Sequence, residues 1–286
     1  MAGARGGPPQ LPEPLLHPVV DTHCHLDVHD RSLHGDVQPD AVASLEQAAA
    51  VGVTRVVQIG CDLPSARWSV DFVQKHSSVV AGVAIHPNDA ARLVERQGEA
   101  ALDAALAEIE QLASAPRVHA VGETGLDYYR TDAPGHIAQQ RSFRFHIDLA
   151  KRLGKALVIH DRDAHEDVID ILLQQGPPST VVFHCFSGDA AIARICAEHG
   201  WYMSFAGVVT YPNADSLRTA LLEVPDELVL TETDAPYLPP VPNRGKANAS
   251  TLMPFTVRAM AHVRGCQEAG FARQLWENSE RVFGPW

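Results

Sequence analysis

Eight short apolar runs, each followed by a stretch of helical pattern, constrain this chain more than any other feature. The runs are Pro18–His25, Arg55–Gly60, Val79–His86, Val118–Glu123, Ala156–His160, Thr180–His184, Trp201–Phe205 and Leu228–Glu232. Apolar runs of this kind suit parallel strands covered on both faces. The segments between them place apolar residues on one helical face: Val42, Leu45 and Ala49; Leu102, Leu106 and Ile109; Phe143, Ile147 and Ala150; Leu217, Leu221 and Val224. Gly52, Gly154, Gly176 and Gly200 stand just before the next run, where a glycine ends a helix.

Strand and helix alternating eight times is the grammar of an α/β chain closed into a single-domain (β/α)8 TIM barrel. An open doubly wound sheet would need a glycine-rich phosphate loop after its first strand. The sequence there is HCHLDVHD, without a glycine. The 286 residues suggest two domains by length alone, but one such barrel uses about 250. No Ser- or Gly-rich linker divides the middle of the chain. The expected organisation is a flexible Gly- and Pro-rich tail over 1–18 and a barrel over 19–286.

The charged residues sum to −12, which is not the footprint of a tight, non-specific nucleic-acid binder, although bound cations would not show in that sum. No apolar run approaches the length of a membrane span. The five scattered cysteines form no CxxC pair, so neither a disulfide framework nor a zinc ribbon is expected. The N-terminal segment lacks the apolar stretch of a signal peptide, and the expected location is the cytoplasm.

Polar residues collect where the apolar runs end. His23 and His25 end the first run, His86 the third, Glu123 the fourth, His160 the fifth and His184 the sixth; Asp234 lies just past the eighth. In a barrel these ends meet on one face, where active sites sit. Side chains two apart on a strand share a face, so both imidazoles of His23-x-His25 reach one ion. Imidazole and carboxylate together suit zinc or manganese, and carboxylate oxygens suit magnesium. Glu123, on a middle strand between two histidine groups, is placed to bridge two divalent cations. Asp234 is placed as a ligand and as the base that takes a proton from water. Asp21 and Glu232 share faces with these ligands and are expected to support them from behind. Arg162 suits a phosphate fork, with a helix-start salt bridge to Asp161, Asp163 or Glu166 as the alternative. His86 suits a water or phosphate contact, and Tyr128 or Tyr129 a base-stacking platform.

These residues sit in stretches that resemble the TatD-type metal-dependent deoxyribonucleases of the amidohydrolase superfamily. The matching stretches are VDTHCHLD, AIHPND, VGETGLDYY, VIHDRDAHED, FHCFSGD and ETDAPYLPP, in that order across nearly the whole chain. The resemblance implies metal ligands at His23, His25, Glu123, His160, His184 and Asp234. It also implies two divalent ions and hydrolysis of phosphodiesters in single-stranded or end-containing DNA by a metal-activated water. Two departures stand out. Ala156 replaces a frequent proline, and NRGKANAS stands where relatives often carry Arg-Asn-Glu-Pro, offering Arg244, Lys246 and Asn248 instead. Two other functions fit the residues. One is a dinuclear hydrolase of small esters, lactones or amides; the other is a non-enzymatic metal-binding or interaction protein. The strand-four position holds Glu123 and no lysine that could be carboxylated, which favours the nuclease. No obligate protein partner is visible in the pattern.

Overall fold

A computed structural model describes residues 9–29 and 40–286. Eight parallel strands pair in sequence order: β1 Val19–Cys24, β2 Val53–Gly60, β3 Val79–Val83, β4 Val118–Asp127, β5 Ala156–Arg162, β6 Val181–Phe183, β7 Tyr202–Phe205 and β8 Val229–Thr231. The ring closes where β1 meets the end of β8. The N–H of Asp234 donates to the His23 carbonyl at 2.9 Å, and the N–H of His25 to the Ala235 carbonyl at 2.8 Å. The result is the (β/α)8 barrel that the alternation of runs predicts.

Helices cover the outside: α1 Ala41–Ala50, α2 Leu63–Val73, α3 Pro87–Gln97, α4 Glu99–Ala113, α5 Ala133–Leu153, α6 His165–Gln175, α7 Ala190–Glu198, α8 Asp215–Glu223, α9 Met253–Val263 and α10 Glu268–Phe283. Strand alternation divides the core in two. Val19, Val79, Val121, Leu157, Ile159 and Phe205 pack outward against Leu102, Ile109, Phe143 and Ile147 of the helices. Val20, Val57, Val80, Ala120, Val158, Val182 and Leu230 fill a separate cluster with Phe283 of α10. Each large side chain fully buried here stabilises the fold by roughly 1.5–3 kcal/mol.

Helix ends follow local chemistry. Asp40 caps α1 through the N–H groups of Val42 and Ala43, Asp62 caps α2 through Ser65, and Asp189 caps α7 through Ala191 and Ile192. The four expected stop glycines all have positive φ. One expected face is wrong. In α1 the buried residue is Ala48, while Val42 is exposed. The helix is alanine-rich, so its apolar pattern gives little direction.

The flexible tail expected over 1–18 falls partly on residues 1–8, which lie outside the described residues. From Gln10 onward the segment is tied down. The N–H of Gln10 donates to Asn243 Oδ1 at 2.8 Å, and that of Leu15, a buried residue, to the Val51 carbonyl at 3.0 Å. All five cysteines are free.

Candidate metal centre

The polar ends of the strands converge at one end of the barrel around Glu123. This residue sits at an irregularity in β4, where Gly122 pairs with Val158 but Thr124 already pairs with Ile159. The extra residue turns the carboxylate into the barrel mouth. Two residues on, Gly125 faces His160 across the ladder, and a Cβ there would run into the His160 carbonyl. Only glycine lets β4 and β5 approach so closely at this level.

The two oxygens of Glu123 face different partners. Oε2 lies 3.3 Å from His23 Nε2 and 4.0 Å from His25 Nε2. Asp234 Oδ1 completes that side, 3.8 Å from His23 Nε2 and 3.3 Å from His25 Nε2. Oε1 lies 2.6 Å from His160 Nδ1, 2.8 Å from His184 Nε2 and 3.3 Å from His86 Nε2. Donor atoms of His23, His25 and Asp234 lie within 4.8 Å of one another, as do those of His23, Glu123 and His184.

The outer hydrogen bonds fix which nitrogen points inward. His25 Nδ1 lies 3.1 Å from the Ile59 carbonyl, so it carries the proton and Nε2 presents a lone pair. His184 Nδ1 lies 3.2 Å from Glu232 Oε1, again leaving Nε2 for the centre. His160 is reversed: Nε2 lies 3.2 Å from Asp127 Oδ2 and Nδ1 faces Glu123. His23 is fully buried, and its Nδ1 has no partner among the described residues. Neutral imidazoles held this way aim lone pairs at carboxylate oxygens and at one another; His23 Nε2 and His25 Nε2 are 3.3 Å apart. Acceptors facing acceptors at these distances need cations or extra protons between them. The donor set of imidazole nitrogens and carboxylate oxygens fits divalent metal ions.

The electrostatics of the site agree. Burial alone would push Glu123 up, but His184, His86 and His160 outweigh it and hold the carboxyl well below its usual range. Asp234 is likewise held low against burial, by His25, His23 and His184. Burial disfavours a charge on His25, yet Asp234 and Glu123 push it up to about 9. His160 and His184 are also raised against burial, by Asp127 and Glu123 and by Glu123 and Glu232 respectively. Without cations, protons would take their place.

His86 differs. Its Nδ1 accepts from the N–H of Asn88 at 3.1 Å, capping α3. Its proton therefore sits on Nε2, facing Glu123 Oε1, and burial lowers its pKa. It is a neutral donor at the rim rather than another lone pair.

The other expected residues take distinct places. Glu232 is fully buried behind His184, and its Oε1 also accepts from the N–H of Cys185 at 2.7 Å. Asp21 reaches no imidazole ring. Its carboxylate accepts from the Thr233 N–H and hydroxyl, the Ser250 hydroxyl and the His23 N–H, and so holds the seam between β1 and β8. Tyr128 stacks on His136 and donates its hydroxyl proton to Asp167, away from the centre. The aromatic ring at the rim is instead Tyr129, 64% exposed, with the Arg162 guanidinium 4.0 Å above it. No salt bridge joins Arg162 to Asp161, Asp163 or Glu166; His165 pairs with Asp161. Arg244 lies 4.4 Å over the Tyr211 ring. Lys246 follows in the same loop, and Asn248 is buried, donating to the Thr233 and Tyr237 carbonyls.

Two residues were missed by the sequence reasoning. Asp127, fully buried, backs His160 and is held by Asn88 and by the N–H groups of Tyr129 and Arg130. Glu123, Gly125 and Asp127 alternate along one strand, and that spacing is the signal that reveals it. Cys61, just past β2, lies 3.4 Å from Glu123 Oε2. No pattern singled it out.

Comparison with known proteins then settles the family. A model of the family described as TatD related DNase matches residues 20–284. The chain belongs to the TatD family of metal-dependent hydrolases. It is 46% identical over 272 residues to the uncharacterized metal-dependent hydrolase TatD of Mycobacterium tuberculosis, covering 93% of this chain and 98% of that one. It is 34% identical to YabD of Bacillus subtilis, an uncharacterized metal-dependent hydrolase, over the same shares of the two chains. Among solved structures it is similar to YJJV, a TatD homolog from Escherichia coli, with a TM-score of 0.82, 27% identity, and 93% and 98% of the chains covered. No helix among the described residues is long and apolar enough to cross a membrane.

Proposed function

We propose that this TatD-family hydrolase is a deoxyribonuclease that cleaves phosphodiester bonds in single-stranded or end-containing DNA. The observation that carries the reading is Glu123, a buried carboxylate whose two oxygens face separate sets of imidazoles. One carboxylate shared in this way suits a pair of divalent cations. Such ions, when bound, polarise a phosphoryl group and lower the pKa of water. His23, His25 and Asp234 would hold one, His160 and His184 the other, and Glu123 both.

The remaining steps belong to the protein's own groups. Asp234 is kept ionised and is partly open to the mouth, its side chain 14% exposed, so it accepts the proton that the attacking water loses. His86 directs its Nε2–H toward Glu123 Oε1 at the rim, and would turn it to a phosphate oxygen once Glu123 is engaged by cations. Arg162 and Arg244 have no ion-pair partner among the described residues and can meet the backbone of the strand. A local patch of this kind allows substrate binding despite the net charge of −12.

The test is cleavage of end-labelled single-stranded DNA by protein loaded with magnesium, manganese or zinc, with chelator as control. Asp234→Asn should lose activity by about 10²–10⁴-fold, the scale of a general-base contribution. Intact DNA from protein shown to carry metal would overturn the reading and favour hydrolysis of a small ester or lactone.

A further inference from the structure

Beside the centre lies a cavity of about 280 Å³ that none of the steps above uses. It is lined by Phe186, Ala206, Val208, Tyr211 and Leu217, and it reaches Cys185, the residue after the ligand His184. These residues come from the loop after β6, the turn Gly207–Thr210 after β7, and α8. The cavity therefore opens at the same end of the barrel as the metal centre. Cys185 joins the two directly. It has a positive φ of 42°, and its N–H donates to the same Glu232 oxygen that holds His184.

The lining is apolar and aromatic, with Ser187, Asn213 and Ser216 as its polar members. The volume falls just under the range of about 300–1,000 Å³ typical of small-molecule pockets, so it suits one ring system. Arg244 lies on the Tyr211 ring and pairs with no carboxylate among the described residues. Arg162 lies on Tyr129 in the same way, on the β4 and β5 side of the mouth. Each site thus places an aromatic ring beside a guanidinium that has no carboxylate partner among the described residues. That combination suits a strand whose bases stack while its phosphates meet cations.

We propose that this cavity takes the nucleobase adjoining the scissile phosphate, with Tyr211 against the base and Arg244 on the neighbouring backbone phosphate. The proposal rests on the nuclease reading and adds to it a preference for nucleotides that carry a base.

Titration of the metal-loaded full chain with inorganic phosphate, 2-deoxyribose 5-phosphate and deoxyadenosine 5′-monophosphate separates the two claims. The nucleotide should bind about tenfold or more tightly than the sugar phosphate, the scale of one stacked base. Ser216→Trp, at an exposed position of the cavity lining, should remove that preference and leave inorganic phosphate binding unchanged. Leu217→Trp should do the same from a half-buried position, with phosphate binding as the check that the barrel and centre are intact. Equal affinity for nucleotide and sugar phosphate in the unaltered protein would overturn the cavity assignment, as would a preference that survives both substitutions. If DNA is cleaved in either of those cases, the nuclease reading stands alone. If metal-loaded protein neither binds phosphate nor cleaves DNA, the nuclease reading falls and the cavity assignment falls with it.

Discussion

The centre has two unequal halves. On the β5 and β6 side, His160 and His184 are each backed by a buried carboxylate, Asp127 and Glu232. On the β1 and β8 side, His25 is backed by the Ile59 carbonyl, and His23 Nδ1 has no partner among the described residues. A carboxylate behind an imidazole fixes its tautomer and raises its basicity as a ligand. A carbonyl fixes the tautomer but adds no charge. The β5/β6 position should therefore hold its cation more tightly, and the β1/β8 position should exchange it more readily. The weaker half also contains Asp234, the proposed proton acceptor. An adjustable ion beside the base and an anchored ion opposite is a reasonable division of labour for a hydrolase.

Glu123 is the group that makes this a single centre rather than two. Glu123→Ala should abolish both positions, leaving less than about one part in 10³ of the activity, since the ions supply several kcal/mol of charge stabilisation. Metal content by mass spectrometry should fall at both positions while circular dichroism still shows a folded barrel. If one equivalent stays bound, the two halves are independent and the bridging assignment fails.

The supporting carboxylates test the inequality itself. Asp127→Asn and Glu232→Gln should each weaken metal affinity by about 10–100-fold, the usual cost of removing such a partner. The loss should appear only in the tighter of two binding phases. A loss in the weaker phase would reverse the ranking of the halves.

Proton release sharpens the same contrast. His25 is pushed up to about 9, while burial keeps His23 low, so the β1/β8 half carries one proton that a cation must displace. His160 and His184 are both raised, so in the β5/β6 half two histidine protons compete with a cation. A raised histidine pKa means that the proton competes below that pKa, so affinity falls as pH falls. Below about pH 9 the proton on His25 should cost the looser phase roughly tenfold in affinity per unit pH, and His160 and His184 should each add a further proton's worth of slope to the tight phase below their own raised pKa. The tight phase should thus be the steeper one, in titrations monitored by a metal indicator. Equal slopes would mean that the carboxylates behind His160 and His184 do not set their protonation.

How much of this the sequence reveals depends on the physical signal. The strands are legible because each is a continuous apolar run, and the convergence of the candidate ligands because each lies at or just past the end of such a run. The stop glycines before β2, β5 and β7 mark the repeats. Less accessible is anything set by the turn of a side chain. Glu123 owes its position to a bulge, which also carries β4 on to Asp127, four residues past the expected end. Tyr128 and Tyr129 are neighbours in one loop, and only the fold shows that the first packs on His136 and the second stands at the rim. Asp21 has the parity of a ligand support, yet Thr233 and Ser250 claim its carboxylate.

Cys61 gives the finest test of the comparison. Its thiol lies 3.4 Å from Glu123 Oε2 and 3.9 Å from His25 Nδ1, so it touches only the β1/β8 half. As an S–H donor it steadies the oxygen that faces His23 and His25, and a hydrogen bond to a charged group of this kind contributes on the order of 1.5–3 kcal/mol at most. Burial and the adjacent Glu123 push the thiol well above its usual pKa, so it remains a donor as long as no cation displaces its proton. Cys61→Ser keeps a donor and should leave both phases nearly unchanged. Cys61→Ala removes it and should weaken the looser phase about threefold to tenfold, less than a full hydrogen bond because a water can reach the half-buried position. The serine variant restoring what alanine loses would show that the thiol acts by hydrogen bonding. Loss in both variants, with a sulfur-to-metal charge-transfer band in the cobalt-loaded protein, would instead make Cys61 a ligand. The β1/β8 half would then gain a charged donor of its own, and the ranking of the two halves would have to be redrawn.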